Sequence, residues 1–144
     1  MRVWDNILDL STNINLKEFV CIVNEISMLD LSNNNLLERV SCGLNNLTNL
    51  NVSGLSNLTY LWCASCELTS LDLSENGSLS QLICYNNKLV NLDISQNINL
   101  TYLSIMGMPT LHEVCVWTLP FPPFTVLCDT VGSHNLYFTT DCSN

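Results

Sequence analysis

The sequence predicts a solenoid of about five coils, each 21 residues long and built from short parallel β-strands, closed by a β-type C-terminal cap. Three observations carry this. Leu8, Leu29, Leu50, Leu71 and Leu92 stand 21 residues apart, as do Leu16, Leu37, Leu58, Leu79 and Leu100, and Phe19, Val40, Leu61, Leu82 and Leu103. Cys21, Cys42, Cys63 and Cys84 keep the same step, which Ile105 continues. Asn13, Asn34, Asn76 and Asn97 form a polar column at that period, and Asn24, Asn45 and Asn87 form another.

Each period divides into two similar halves. One reads L-x-x-L-x-C-x-x-N, as in Leu79, Leu82, Cys84 and Asn87; the other reads L-x-x-L-D-L-S-x-N, as in Leu68, Leu71, Asp72, Leu73, Ser74 and Asn76. Apolar residues alternate within each half (Leu61 and Cys63, Leu71 and Leu73), which is the period of a strand with one buried face. A coil this short has no room for a helix beside two strands and their turns. A single coil cannot bury its apolar face, but coils stacked about 4.8 Å apart share one continuous core. Each inward leucine then contributes roughly 1.5–3 kcal/mol of burial, opposed by the entropy of ordering.

Both halves match the core of the leucine-rich repeat. Over roughly residues 5–117 the chain resembles the short 21-residue leucine-rich repeats of bacterial proteins, and most of all those of Bacteroidetes surface and secreted proteins. The strings CVWTLPFPP at 115–123 and YFTTDC at 137–142 resemble the caps that close such arrays, which divides the chain into a solenoid, 1–114, and a cap, 115–144. The resemblance implies a non-catalytic module that binds a protein or a glycan on a secreted or surface-attached bacterial protein. A purely structural spacer or stalk segment is the alternative. It also implies a cap disulfide between Cys115 and Cys142, leaving Cys128 free, with Cys128–Cys142 as the second possibility; a disulfide would place the chain in an oxidising, extracellular or cell-surface compartment.

The asparagines have a structural role. Each follows a strand, where the chain turns and leaves backbone groups in need of buried partners, and an amide offers both donors and an acceptor. Leu55 and Cys66 interrupt the two columns. Cysteine is a common replacement in this repeat, whereas Leu55 predicts a locally altered turn. The repeat cysteines fall on inward columns and act as small hydrophobes. Cys63-x-x-Cys66 therefore fills core and turn positions, with neither the helix of a redox motif nor a second ligand pair for zinc. In the segment 116–124, Pro120, Pro122 and Pro123 predict a departure from the ladder, because proline donates no backbone hydrogen bond.

Composition removes several function classes. Four Lys and Arg stand against thirteen Asp and Glu, a formal charge of −9, which leaves no basic stripe for nucleic acid. No run of eighteen apolar residues exists, so no membrane insertion is expected. Met1-Arg2-Val3-Trp4 leads almost directly into the repeat without the n- and h-regions of a signal peptide, so the chain reads as a fragment or a processed form. His112 and His134 lack a converging nucleophile and orienting acid, and no glycine-rich phosphate loop occurs. No enzyme activity and no cofactor is expected. The sequons at Asn46, Asn51, Asn57, Asn76 and Asn99 follow from a repeat rich in Asn, Ser and Thr.

Function in a solenoid is carried by its outward columns. The L-D-L-S face repeats Asp9, Asp30, Asn51, Asp72 and Asp93 and reads as a solvated acidic wall; the alternative is weak calcium binding by Asp9, Asp30, Asp72 and Asp93. The other face varies. Its central column is read as Val20, Ser41, Trp62, Ile83, Ser104 and Cys115, flanked by Glu18, Arg39, Tyr60, Gln81, Tyr102 and by Ile22, Gly43, Ala64, Tyr85, Met106, Trp117. The expected binding surface is Tyr60, Trp62, Ile83, Tyr85 and Tyr102, with a polar rim of Arg39, Gln81 and Ser104.

Overall fold

The computed structural model describes residues 7–123, 126–134 and 136–142. The N-terminal Met1-Arg2-Val3-Trp4, and Phe124 and Thr125 of the cap, lie outside them. Among the described residues twelve short strands follow one another: β1 (Ile7–Leu8), β2 (Glu18–Val20), β3 (Met28–Asp30), β4 (Arg39–Ser41), β5 (Asn49–Asn51), β6 (Tyr60–Trp62), β7 (Gln81–Ile83), β8 (Asn91–Asp93), β9 (Tyr102–Ser104), β10 (Glu113–Cys115), β11 (Leu127–Asp129) and β12 (Tyr137–Thr139). All pairings are parallel, and no helix occurs among the described residues. The fold is a parallel β-solenoid of about six turns, of leucine-rich-repeat type.

Alternate half-repeats build opposite walls. One wall is a continuous six-stranded sheet in the order β11-β9-β7-β6-β4-β2. The other consists of two three-stranded sheets, β1-β3-β5 and β12-β10-β8, separated at residues 70–72, which form no strand. Between the walls the inward columns make one core: Leu37, Val40, Cys42, Leu58, Leu61, Cys63, Leu79, Leu82, Cys84 and Leu103 are all fully buried. Burial pushes the thiol of Cys84 up to about 12 and those of Cys42 and Cys63 well above the usual cysteine range, so these cysteines pack as neutral hydrophobes.

The two asparagine columns work differently. In the first, Asn45 donates from Nδ2 to the carbonyls of Cys42 and Gly43 in its own coil and of Cys21 in the coil before, while its Oδ1 accepts from the Ile26 N–H. Asn87 repeats this pattern with Cys84, Cys63 and Leu68. In the second, Asn34, Asn76 and Asn97 use only their donors, each reaching two turn carbonyls of the preceding coil. Their buried Oδ1 atoms have no partner among the described residues, so the expectation that these amides serve as acceptors holds for one column alone.

These amides hold a strained corner. The residue before the first column's position, held by Asn24, Asn45, Cys66, Asn87 and Met108, is left-handed in coil after coil: Val23 (φ 56°), Leu44 (φ 58°), Ser65 (φ 53°), Asn86 (φ 53°) and Gly107 (φ 64°). Valine and leucine disfavour that conformation by roughly 1–2 kcal/mol each, which the asparagine bonds offset. Cys66 substitutes for asparagine with sulfur contacts to the carbonyls of Cys42 (3.8 Å) and Ala64 (3.6 Å). At Leu55 the turn is altered: Gly54 before it is left-handed at φ 73°, and the Leu55 N–H to Val52 carbonyl bond stretches to 3.4 Å where its equivalents are 2.9–3.0 Å.

The cap departs from expectation in one respect. Proline-rich residues 118–123 leave the ladder, but β11 and β12 return to it, pairing in register with β9 and β10, so the cap adds a turn to the solenoid. Ser133 takes over the asparagine role there, donating to the Ile105 carbonyl at 2.6 Å and accepting from the Met108 N–H at 3.1 Å. Trp117, Phe121 and Phe138 close the end, with ring centroids 5.4 Å and 4.8 Å apart.

Candidate functional site

Register brings the candidate residues together. Across β4, β6, β7 and β9, Arg39 pairs with Tyr60, Tyr60 with Gln81, and Gln81 with Tyr102; one step along, Ser41 pairs with Trp62, and Trp62 with Ile83. Tyr85 follows β7 two residues on. These positions occupy adjacent strands of the unbroken sheet, and Tyr60, Trp62, Ile83, Tyr85 and Tyr102 are each half-buried, with Arg39 and Gln81 exposed at the margin.

Two contacts stiffen this surface. The Arg39 guanidinium lies over the Tyr60 ring, 4.3 Å from its centroid, and its Nε stands 3.8 Å from Glu18. Trp62 lies against Gly43, where a Cβ would meet the indole Cε2 at 3.1 Å and the Ala64 carbonyl oxygen at 2.8 Å. Gly43 is thus the floor on which Trp62 rests. The sequence carried a sign of this in Gly43, the lone glycine of its outward column and diagonal to Trp62.

Three assignments from sequence need correction. Cys115 is not on the aromatic face: it pairs with Asp93 in β8, in the opposite wall. Trp117, two residues beyond it, belongs to the aromatic closure of the cap. Eleven residues carry the chain from one wall to the other, and the true successor of Ser104 is Asp129 in β11. Ser104 is also not a rim residue, being fully buried, with an Oγ that has no partner among the described residues.

The opposite wall has a different character. Asp9, Asp30, Asp72 and Asp93 each accept, through Oδ1, the N–H of the serine two residues on, at 2.8–3.0 Å. These bonds hold the carboxyls of Asp9, Asp30 and Asp72 below the usual aspartate range. Asn51 does the same work without charge, accepting from Ser53 and donating to Asp30. The column caps turns. Asp9 and Asp30 also line a cleft of about 380 Å³ with Leu8, Met28 and Asn49, while Asp72 and Asp93 flank a smaller one of about 60 Å³ at the break in the sheet.

A disulfide joins Cys115 in β10 to Cys142 beyond β12, with Cα atoms 5.6 Å apart, and Cys128 is free. His112 and His134 are exposed. Cys63 and Cys66 are both buried, and burial raises both thiols above the usual range.

Among solved structures, the chain is similar to the functional domain of InlJ from Listeria monocytogenes, a domain described as including a cysteine ladder. The TM-score is 0.81 at 31% sequence identity, over 90% of this chain and 28% of that one. The chain thus spans under a third of that neighbour's length. No protein-family model and no curated protein matches it. The neighbour supports a repeat-type module of leucine-rich-repeat fold, and no helix among the described residues is long and apolar enough to cross a membrane.

Proposed function

We propose that this chain is a non-catalytic binding module of a secreted or surface-attached bacterial protein, taking a protein or glycan ligand on the aromatic face of its six-stranded sheet. The observation that carries the reading is the convergence of Tyr60, Trp62, Ile83, Tyr85 and Tyr102 on neighbouring strands of the one wall whose hydrogen-bonded ladder is unbroken. Tyrosine and tryptophan offer large contact areas at low entropic cost, and an unbroken ladder of paired strands presents them already ordered. Arg39 and Gln81 supply hydrogen bonds at the margin but no group suited to acid–base or nucleophilic chemistry. The disulfide favours an oxidising compartment.

The test is the double variant Trp62→Ala, Tyr85→Ala on a glycan array and in pull-downs from host-cell extract. Neither residue belongs to the buried core, so the variant should keep cooperative melting with Tm lowered by only a few degrees, and should lose at least tenfold in affinity for whatever partner the parent retains. Unchanged binding by the variant overturns the assignment of the face. A parent chain that captures nothing in either format returns the reading to a structural spacer.

A further inference from the structure

The opposite wall holds a grouping that the repeat pattern does not require. At the cap edge, Cys115 Sγ, Cys142 Sγ and a carboxylate oxygen of Asp93 all lie within 4.8 Å of one another. The same three residues, with Asn91, Leu92 and Glu113, line a cavity of about 170 Å³. Three different elements supply them: Asp93 ends β8, Cys115 ends β10, and Cys142 follows β12. Asp93 spends only Oδ1 on the Ser95 N–H, so its second oxygen can turn toward the sulfurs. Glu113, across the cavity and hydrogen-bonded to the Tyr137 hydroxyl, brings a second carboxylate to the same edge.

The geometry points to a redox-gated zinc site: oxidised, Cys115 and Cys142 form the cap disulfide; reduced, they and Asp93 hold one Zn²⁺, with Glu113 or water as fourth ligand. The chemistry balances. A dithiol gives two electrons and two protons to the Cys115–Cys142 bond and becomes a disulfide itself, leaving two thiols here. Zinc then displaces both thiol protons to solvent and binds the two thiolates and a carboxylate oxygen of Asp93. Thiolate and carboxylate ligands of this kind suit zinc, at Zn–S about 2.3 Å and Zn–O about 2.0–2.2 Å. Two tetrahedral Zn–S bonds of that length hold their sulfurs about 3.8 Å apart, so reduction must let Cys115 and Cys142 separate to that spacing, with the Asp93 carboxylate already within 4.8 Å of both. Two thiolates packed against a carboxylate repel one another, and a divalent cation removes that repulsion as the disulfide does by removing the charges. Either state ties the end of the chain to β10, so the closure of the cap survives a change of compartment.

The experiment titrates zinc alone into the full chain, oxidised and after reduction by a phosphine, following uptake by competition with a chromogenic chelator and folding by circular dichroism. The reduced chain is expected to bind one zinc per molecule with a rise in Tm, the oxidised chain none. Asp93→Asn should weaken uptake at least tenfold, and Cys142→Ser should abolish it. The proposal is overturned if the reduced chain takes up no zinc, or if Cys142→Ser binds as well as the parent, since the other cysteines would then be the ligands. It is equally overturned if the reduced chain loses its β-sheet signal and zinc does not restore it. Asp93→Asn keeps the turn acceptor that Asn51 provides elsewhere, so its loss of uptake separates ligation from misfolding.

Discussion

The two walls of this solenoid share one core and one period, yet they differ in what they repeat and in how well they pair. The L-D-L-S wall has the more regular sequence, with Asp9, Asp30, Asp72 and Asp93 in one column, and it is the wall that breaks, at residues 70–72. The opposite wall varies from coil to coil, with Arg39, Tyr60, Gln81 and Tyr102 in a single column, and its six strands run without interruption. Regular outward residues serve the turns, where each aspartate caps the serine two positions on. Variable outward residues sit on strands whose backbone bonds need no help from side chains. Freedom to vary is therefore greatest where the ladder is most complete.

The largest test of this difference is in the core. Leu61 is fully buried in β6 with strands on both sides, whereas Leu71 lies at the break and is 8% exposed. Leu61→Ala is expected to cost about 4 kcal/mol and Leu71→Ala about 2 kcal/mol, measured as urea unfolding free energies. Equal losses would mean that the break has no energetic weight. A smaller effect distinguishes the glycines. Gly43→Ala crowds Trp62 and the Ala64 carbonyl and should cost about 1–3 kcal/mol, together with a shift in tryptophan emission. Gly54→Ala meets nothing nearer than 3.8 Å and pays only for its left-handed backbone, about 1–2 kcal/mol, with emission unchanged.

The smallest effect is acid sensitivity. The carboxyls of Asp30 and Asp72 lie below their ordinary value of 3.8 in the folded chain, because serine N–H groups stabilise the charged form. Their contribution is complete above that value and is lost as pH falls through the lower folded values. Both groups are exposed, so the loss is a fraction of a kcal/mol. The double variant Asp30→Asn, Asp72→Asn keeps the acceptor and removes the titration, and its Tm should fall less than the parent's between pH 4 and pH 2. Identical acid profiles would show that the column caps turns without adding pH dependence.

The fold was legible because burial repeats: Leu61, Leu82 and Leu103 must face one core, and a fixed step of 21 residues states that directly. The aromatic column was legible for the same reason up to Ser104. Beyond it the half-repeat step carried Cys115 and Trp117 to the wrong wall, since only pairing, not spacing, says which strand Ser104 faces. That slip hid Asp93 as the neighbour of the cap cysteines. The left-handed corner was invisible at Val23 and Leu44, whose side chains argue against it; Asn86, Gly107 and Gly132 have the residue types that such a backbone prefers. Ser133 gave no sign of replacing an asparagine, because it stands 25 residues from Met108, outside the 21-residue step.

The second asparagine column also has a direction. Asn34, Asn76 and Asn97 donate only to the coil before them, so each coil's turn carbonyls are met by the coil that follows. On a chain emerging from the ribosome, those carbonyls stay in water until about 21 more residues have been made. Every newly synthesised coil therefore completes its predecessor and leaves its own turn unfinished. In the other column Ser133 takes that part for the Ile105 carbonyl, 28 residues after it, so this turn waits longer for its partner than the 21-residue step would ask.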